Sequence, residues 1–201
     1  MAYYTRVLSQ RADCPTYDEL VGTLAEHGPG FSLSVEEGDA ELWTNLLLSQ
    51  ADGTAIAVIE RNPVADGSLG IDEVMEFIDE ITNCKPSSAL PWLTSFLQSV
   101  KVIYAFQHLT GSWSDEGFDA LHSVREFILR RGDAIIQADG EGFTNEAGHH
   151  ILWQFSDNVS GSFQMAIRHN DGWQSFEMDL ANRDHRQAFK EGNVPQGLST
   201  F

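Results

Sequence analysis

One order of elements, strand, helix, strands, helix, is written twice along this chain, first from Tyr3 to about Ile81 and again from Val102 to about Lys190. Each copy has the parts of an antiparallel sheet backed by helices, because a sheet must bury one face and a helix one stripe. The sequence therefore predicts an α+β fold of two tandem β-α-β(3-4)-α units. Residues 1–84 form the first unit, 85–101 a connecting helix, and 102–201 the second, with the option that all three share one compact domain.

The local signals behind this order are specific. Residues 3–10 alternate in polarity and read as a strand. Thr16 and Glu19 stand at capping-box spacing, and Tyr17, Leu20, Val21 and Leu24 then fall on one helical face. Gly28 suits a left-handed cap after that helix. Strands are predicted over 31–36, 42–49 and 54–61, with Ala51-Asp52-Gly53 as a hairpin turn. Ile71, Val74, Met75 and Ile78 make a second helical stripe, opposite an acidic, solvated face of Asp72, Glu73, Glu76, Asp79 and Glu80.

Lys85-Pro86-Ser87-Ser88 punctuates the chain before a third helix carrying Leu93, Phe96, Leu97 and Val100. Residues 102–109 are apolar on both faces and predict a central strand. A helix over 114–131 turns Phe118, Leu121, Val124, Ile128 and Leu129 inward, with Gly132 as its cap. Strands follow over 134–139, 150–155, 162–169 and 173–180, the last two joined by a hairpin turn at Asn170-Asp171-Gly172. Asn182 caps a short final helix.

Charge excludes some partners. The 30 acidic and 12 basic residues give a formal net charge of −18. Phosphate neutralisation needs clustered Lys and Arg. Arg125, Arg130 and Arg131 are the one cluster this reading identifies, so nucleic acid and anionic membranes are not expected partners. No run approaches the eighteen apolar residues of a membrane span, and the first residues lack the pattern of a secretory signal, so the expected location is cytoplasmic. Cys14 and Cys84 match no metal or disulfide pattern and are expected to be free thiols.

The second half repeats glutamine on its strands: Gln107, Gln137, Gln154 and Gln164. His150 shares a strand face with Gln154. One sheet face presenting these amides and an imidazole would read a polar ligand by hydrogen bonds, with Trp153 or Trp173 adding stacking area at the rim. The plainer alternative is a wet sheet face, polar for that reason alone. Residues 139–146 superficially resemble a calcium loop but lack its sixth-position glycine and twelfth-position glutamate. They read instead as a glycine-containing hairpin forming a lip beside the sheet. Asp115, Asp119 and His122 have helical spacing compatible with a metal, but no matching motif accompanies them, and neither metal nor cofactor is expected. His149 and His150, being adjacent on a strand, point to opposite faces and do not make a metal pair.

The element order resembles the saddle-shaped TATA-binding-protein family and is similar to the effector-binding domains of bacterial drug-responsive regulators. The likeness covers most of the chain and is carried by element order, without a residue motif of either family and without the basic groove of the DNA-binding one. The second resemblance implies a small ligand held between the halves. The leading functional expectation is a non-enzymatic module that binds a small polar ligand or a protein partner through Gln107, Gln137, His150, Trp153, Gln154 and Gln164. One alternative is a hydrolase using His150 with Asp139 or Glu177 as acid and base. A further one is an acidic protein that docks a basic partner.

Overall fold

A computed structural model describes residues 2–170 and 172–201. Asp171, the middle of the expected Asn170-Asp171-Gly172 turn, lies outside the described residues. The chain is of mixed α+β type with antiparallel sheets and divides into two compact units, one of residues 1–72 with 100–134 and one of residues 73–99 with 135–201. The edges of these units do not fall at the expected boundaries, 84 and 101. The strand and helix that open the expected second unit fold with the first.

The first unit contains β1 (Tyr3–Ser9), α1 (Tyr17–Ala25), β2 (Phe31–Glu37), β3 (Asn45–Gln50), β4 (Ala55–Pro63), β5 (Val102–His108) and α4 (Asp115–Arg130). Within it the strands run in the order β2-β3-β4-β5-β1. β5 is central, as its two-sided apolar pattern predicts. It pairs antiparallel with β1 (Val7 opposite Tyr104) and with β4 (Ile59 opposite Phe106), and Val102 to Phe106 are all buried. Leu20 and Leu24 of α1, with Ala120, Leu121, Val124 and Ile128 of α4, pack on Leu33, Leu46, Ile56, Tyr104 and Phe106 to close one core. Trp43 is fully buried and donates from Nε1 to the Pro15 carbonyl at 2.7 Å.

The caps form as the sequence specifies. Thr16 Oγ1 accepts from the Glu19 amide, and the Thr16 amide donates to Glu19 Oε2 at 2.7 Å. Ser114 Oγ accepts from the Gly117 amide. The expected strand over 42–49 begins only at Asn45, because Asp39 Oδ1 accepts from the amides of Glu41 and Leu42 and turns the chain first. Val21 and Phe118, expected inward, are 37% and 48% exposed, so these two helices bury narrower stripes than expected. Gly132 is not a left-handed cap; a Cβ there would lie 1.9 Å from Arg11 Cδ, so its role is to admit the Arg11 side chain. Arg11 then donates to the Arg131 carbonyl, while Arg131 donates to Glu19 Oε1 at 2.5 Å.

The second unit holds most of α2 (Leu69–Ile81), then α3 (Leu90–Ser99), β6 (Ala134–Ala138), β7 (Gly142–Phe143), β8 (Ser162–His169), β9 (Gly172–Asp179) and α5 (Arg183–Lys190). The inward stripe of α2 is Val74, Phe77 and Ile81, and Met75, expected inside, is 53% exposed. The α3 stripe of Leu93, Phe96 and Leu97 is buried as expected. β8 and β9 form a full hairpin ladder, and Met165, Ile167, Phe176 and Met178 pack with Leu180, Phe189 and Phe155 into a separate core. Asn182 caps α5, accepting from the amides of Asp184 and His185.

Residues 150–155 do not form the expected strand. Ile151 and Leu152 are both fully buried, and the backbone amides go to three separate partners in place of one continuous ladder. The His150 amide donates to Gln164, the Ile151 amide to Phe143, and the Trp153 amide to Lys85. Every described helix is too short or too polar to cross a membrane. Cys14 and Cys84 are free and half-buried.

Gly117 gives a sign test of this packing. Gly→Ala inside a helix ordinarily stabilises by about 1 kcal/mol. A Cβ on Gly117, however, would stand 2.1 Å from the Gly111 carbonyl oxygen, which is backbone and has little room to yield. Gly117→Ala is therefore expected to destabilise by about 1–3 kcal/mol in urea unfolding. Equal or greater stability would contradict the packing of α4 on the 110–113 turn.

Candidate functional site

The expected ligand-face residues are divided between the two units. Gln107 lies on β5 in the first unit, opposite Tyr4 and Val58. Gln137, His150, Trp153, Gln154 and Gln164 lie in the second. Gln137 is buried on β6, opposite Phe143. Gln164 is exposed on β8, where its amide donates to Glu177 Oε2 across the ladder at 3.3 Å, and Ser162 also donates to Glu177. This is a wet face at one end only. Further along the hairpin Ala166 and Ser175 are buried, and His149 Nδ1 is hydrogen-bonded to Ser175 Oγ at 2.7 Å.

His150 is the most constrained polar group of the set. Its backbone forms one bridge to Thr144 and another to Met165, so it links the β7 region to β8. Its ring packs edge-on against Phe155 and Phe163, with centroids 5.0 and 5.6 Å away, and its side chain is 12% exposed. Burial among these rings pulls the imidazole down to about 4; a hydrogen bond to the Glu141 backbone partly opposes this, and nearby His149 adds to it. The carboxylate within ion-pair reach is Glu141, with Oε2 at 4.0 Å from Nε2. Because the ring is neutral at pH 7, that approach is a polar contact and not a salt bridge. The expected partner Glu177 is engaged by Ser162 and Gln164 instead, and Asp139 ends half-buried just after β6.

Two buried polar atoms here have no hydrogen-bond partner among the described residues: His150 Nδ1 and Gln154 Oε1. Gln154 lies against Gly142, where a Cβ would stand 2.5 Å from Oε1. Gly142 has φ +87°, a backbone state that also disfavours a side chain. His150, through Nε2, and Gln154, through Oε1, thus approach consecutive residues, Glu141 and Gly142, in the segment read from sequence as a lip. Glu141 and Gly142 themselves were not singled out; no sequence signal distinguishes them within the glycine-rich run 140–148.

Trp153 faces α5. The Arg186 guanidinium and Lys190 Nζ lie 5.4 and 4.7 Å from its ring centroid. Arg183, Arg186 and Lys190 stand at i, i+3 and i+7 and form a second basic cluster that the sequence reading overlooked. At the other end of the hairpin, Arg168 lies over Trp173 and Trp92, at 4.9 and 5.7 Å. On α4, His122 Nδ1 is hydrogen-bonded to Arg125 and its ring stacks on Phe118. Among the described residues, no group of three or more His, Cys, Asp or Glu side chains is placed to hold a metal ion.

Comparison with known proteins finds no matching family model, no matching curated protein and no matching solved structure.

The buried imidazole gives a pH dependence of stability. The unfolded His150 has an ordinary value near 6.5 and the folded one about 4, so between these values the unfolded chain binds more protons and stability falls as pH falls. From pH 7.5 to pH 5 this contributes a loss of about 2 kcal/mol, levelling off below pH 4. Urea unfolding of the wild type and of His150→Phe at both pH values is expected to differ by that increment. Identical pH dependence in the two proteins would contradict the burial of the ring.

Proposed function

We propose that the second unit is a non-enzymatic binding module for a small polar ligand, contacted by His150, Gln154 and the Glu141–Gly142 segment. The observation that carries this reading is a pair of unpartnered buried atoms, His150 Nδ1 and Gln154 Oε1, on side chains that approach two consecutive residues, Glu141 through His150 Nε2 and Gly142 through Gln154 Oε1. A buried polar atom left unpaired costs about 1–3 kcal/mol, so a ligand offering hydrogen bonds to both gains that amount back on binding. Gln137, buried nearby in sequence register with Phe143, and Trp153 belong to the same module, while Gln164 lies on its wet outer face and Gln107 in the other unit.

The tandem β-α-β(3-4)-α reading is part of the proposal. The element order β1-α1-β2-β3-β4-α2, followed after α3 by β5-α4-β6-β7-β8-β9-α5, is compatible with that reading. The hydrolase alternative is weaker. A general acid or base works best with a pKa near the operating pH, and a ring with a pKa about 4 is neutral at pH 7 and weakly basic.

Thermal-shift screening of small polar compounds tests the reading, because a ligand at a hundred times its Kd stabilises by about 2.7 kcal/mol. Hits are expected to lose at least tenfold in affinity with Gln154→Met and with His150→Phe, each of which removes one unpartnered atom while keeping bulk. Hits that bind both variants as tightly as the wild type would sink the assignment.

A further inference from the structure

The α5 face offers a second, independent site. A cleft of about 340 Å³ is lined by Asp157, Arg183, Arg186, Gln187 and Lys190. Among the lining side chains three cations face one carboxylate, with the Glu191 carboxylate held just beyond them by Gln187, on a chain whose formal net charge is −18. Like charges three and four residues apart on a helix repel. Arg183 and Lys190 make no ion pair among the described residues that would offset this repulsion.

Two of the cations are held in place. Arg186 donates from Nε to the Leu180 carbonyl, from one terminal nitrogen to Asp157 O at 2.8 Å and from the other to Val159 O at 2.8 Å. Its guanidinium and the Lys190 ammonium both rest on the Trp153 ring. Charges fixed before binding lose little freedom on binding, which favours recognition of a compact anion. Arg183 is exposed on the same helix face, one turn before Arg186.

We propose that this cleft binds a phosphate dianion, either inorganic phosphate or the phosphoryl group of a small phosphomonoester. A local excess of positive charge favours a dianionic phosphate. Arg183 and Lys190 supply the contacting donors. Arg186, whose nitrogens already serve three backbone carbonyls, contributes charge and rigidity. The site shares none of its five lining residues with the His150 contact point, so either reading stands or falls without the other.

The test is an NMR titration of the full chain with inorganic phosphate, and in parallel with glycerol 3-phosphate, at constant ionic strength held with sodium chloride. The expected result is saturable shifts of the backbone amides from Arg183 to Lys190, with the tighter of the two probes naming the phosphate source. The double variant Arg183→Gln/Lys190→Gln, whose remaining spectrum reports an intact fold, is expected to weaken binding at least tenfold. Linear, unsaturating shifts with both probes, or an unchanged midpoint in the variant, would overturn the proposal.

Discussion

The second unit depends on how the segment around His150 satisfies its backbone. Ile151 and Leu152 there are both buried. The amides of this segment bond one at a time to Gln164, Phe143 and Lys85 and do not join a ladder. That arrangement fixes the His150 imidazole against Phe155 and Phe163 and brings it beside Glu141. A polar ring held among aromatic rings stays neutral at pH 7, because the charged form loses its solvation. The same burial leaves Nδ1 without a hydrogen-bond partner among the described residues.

Much of the fold was legible in short-range signals. The Thr16–Glu19 capping box, the Asn182 cap and the α3 stripe are local, and local chemistry decided them. The position of β5 was legible for a different reason: a strand apolar on both faces has to be covered on both, and Val102 to Phe106 are. The ladders that β5 makes with β1 and β4 were not legible. They join residues far apart in sequence, and they placed Gln107 in a different unit from the other glutamines.

Side-chain direction was the other weak point. Val21, Met75 and Phe118 fit their helical stripes by spacing yet sit at the rims, where neighbouring residues such as Phe77 and Ala120 take the inward positions. Glycine proved ambiguous in the same way: Gly132 admits a neighbour's side chain, while Gly28 is left-handed as expected. The α5 cations form an i, i+3, i+7 pattern within a chain of overall acidic composition. What composition cannot convey is confinement, and here three of twelve basic residues share one eight-residue helix.

The account turns on one imidazole being buried and neutral, and its titration measures that directly. Following the His150 ring signals by NMR from pH 8 to pH 3 is expected to give a midpoint at about 4. A midpoint near the ordinary histidine value of about 6.5 would mean a solvated ring, and would contradict both the packing described for residues 150–155 and the binding role drawn from it.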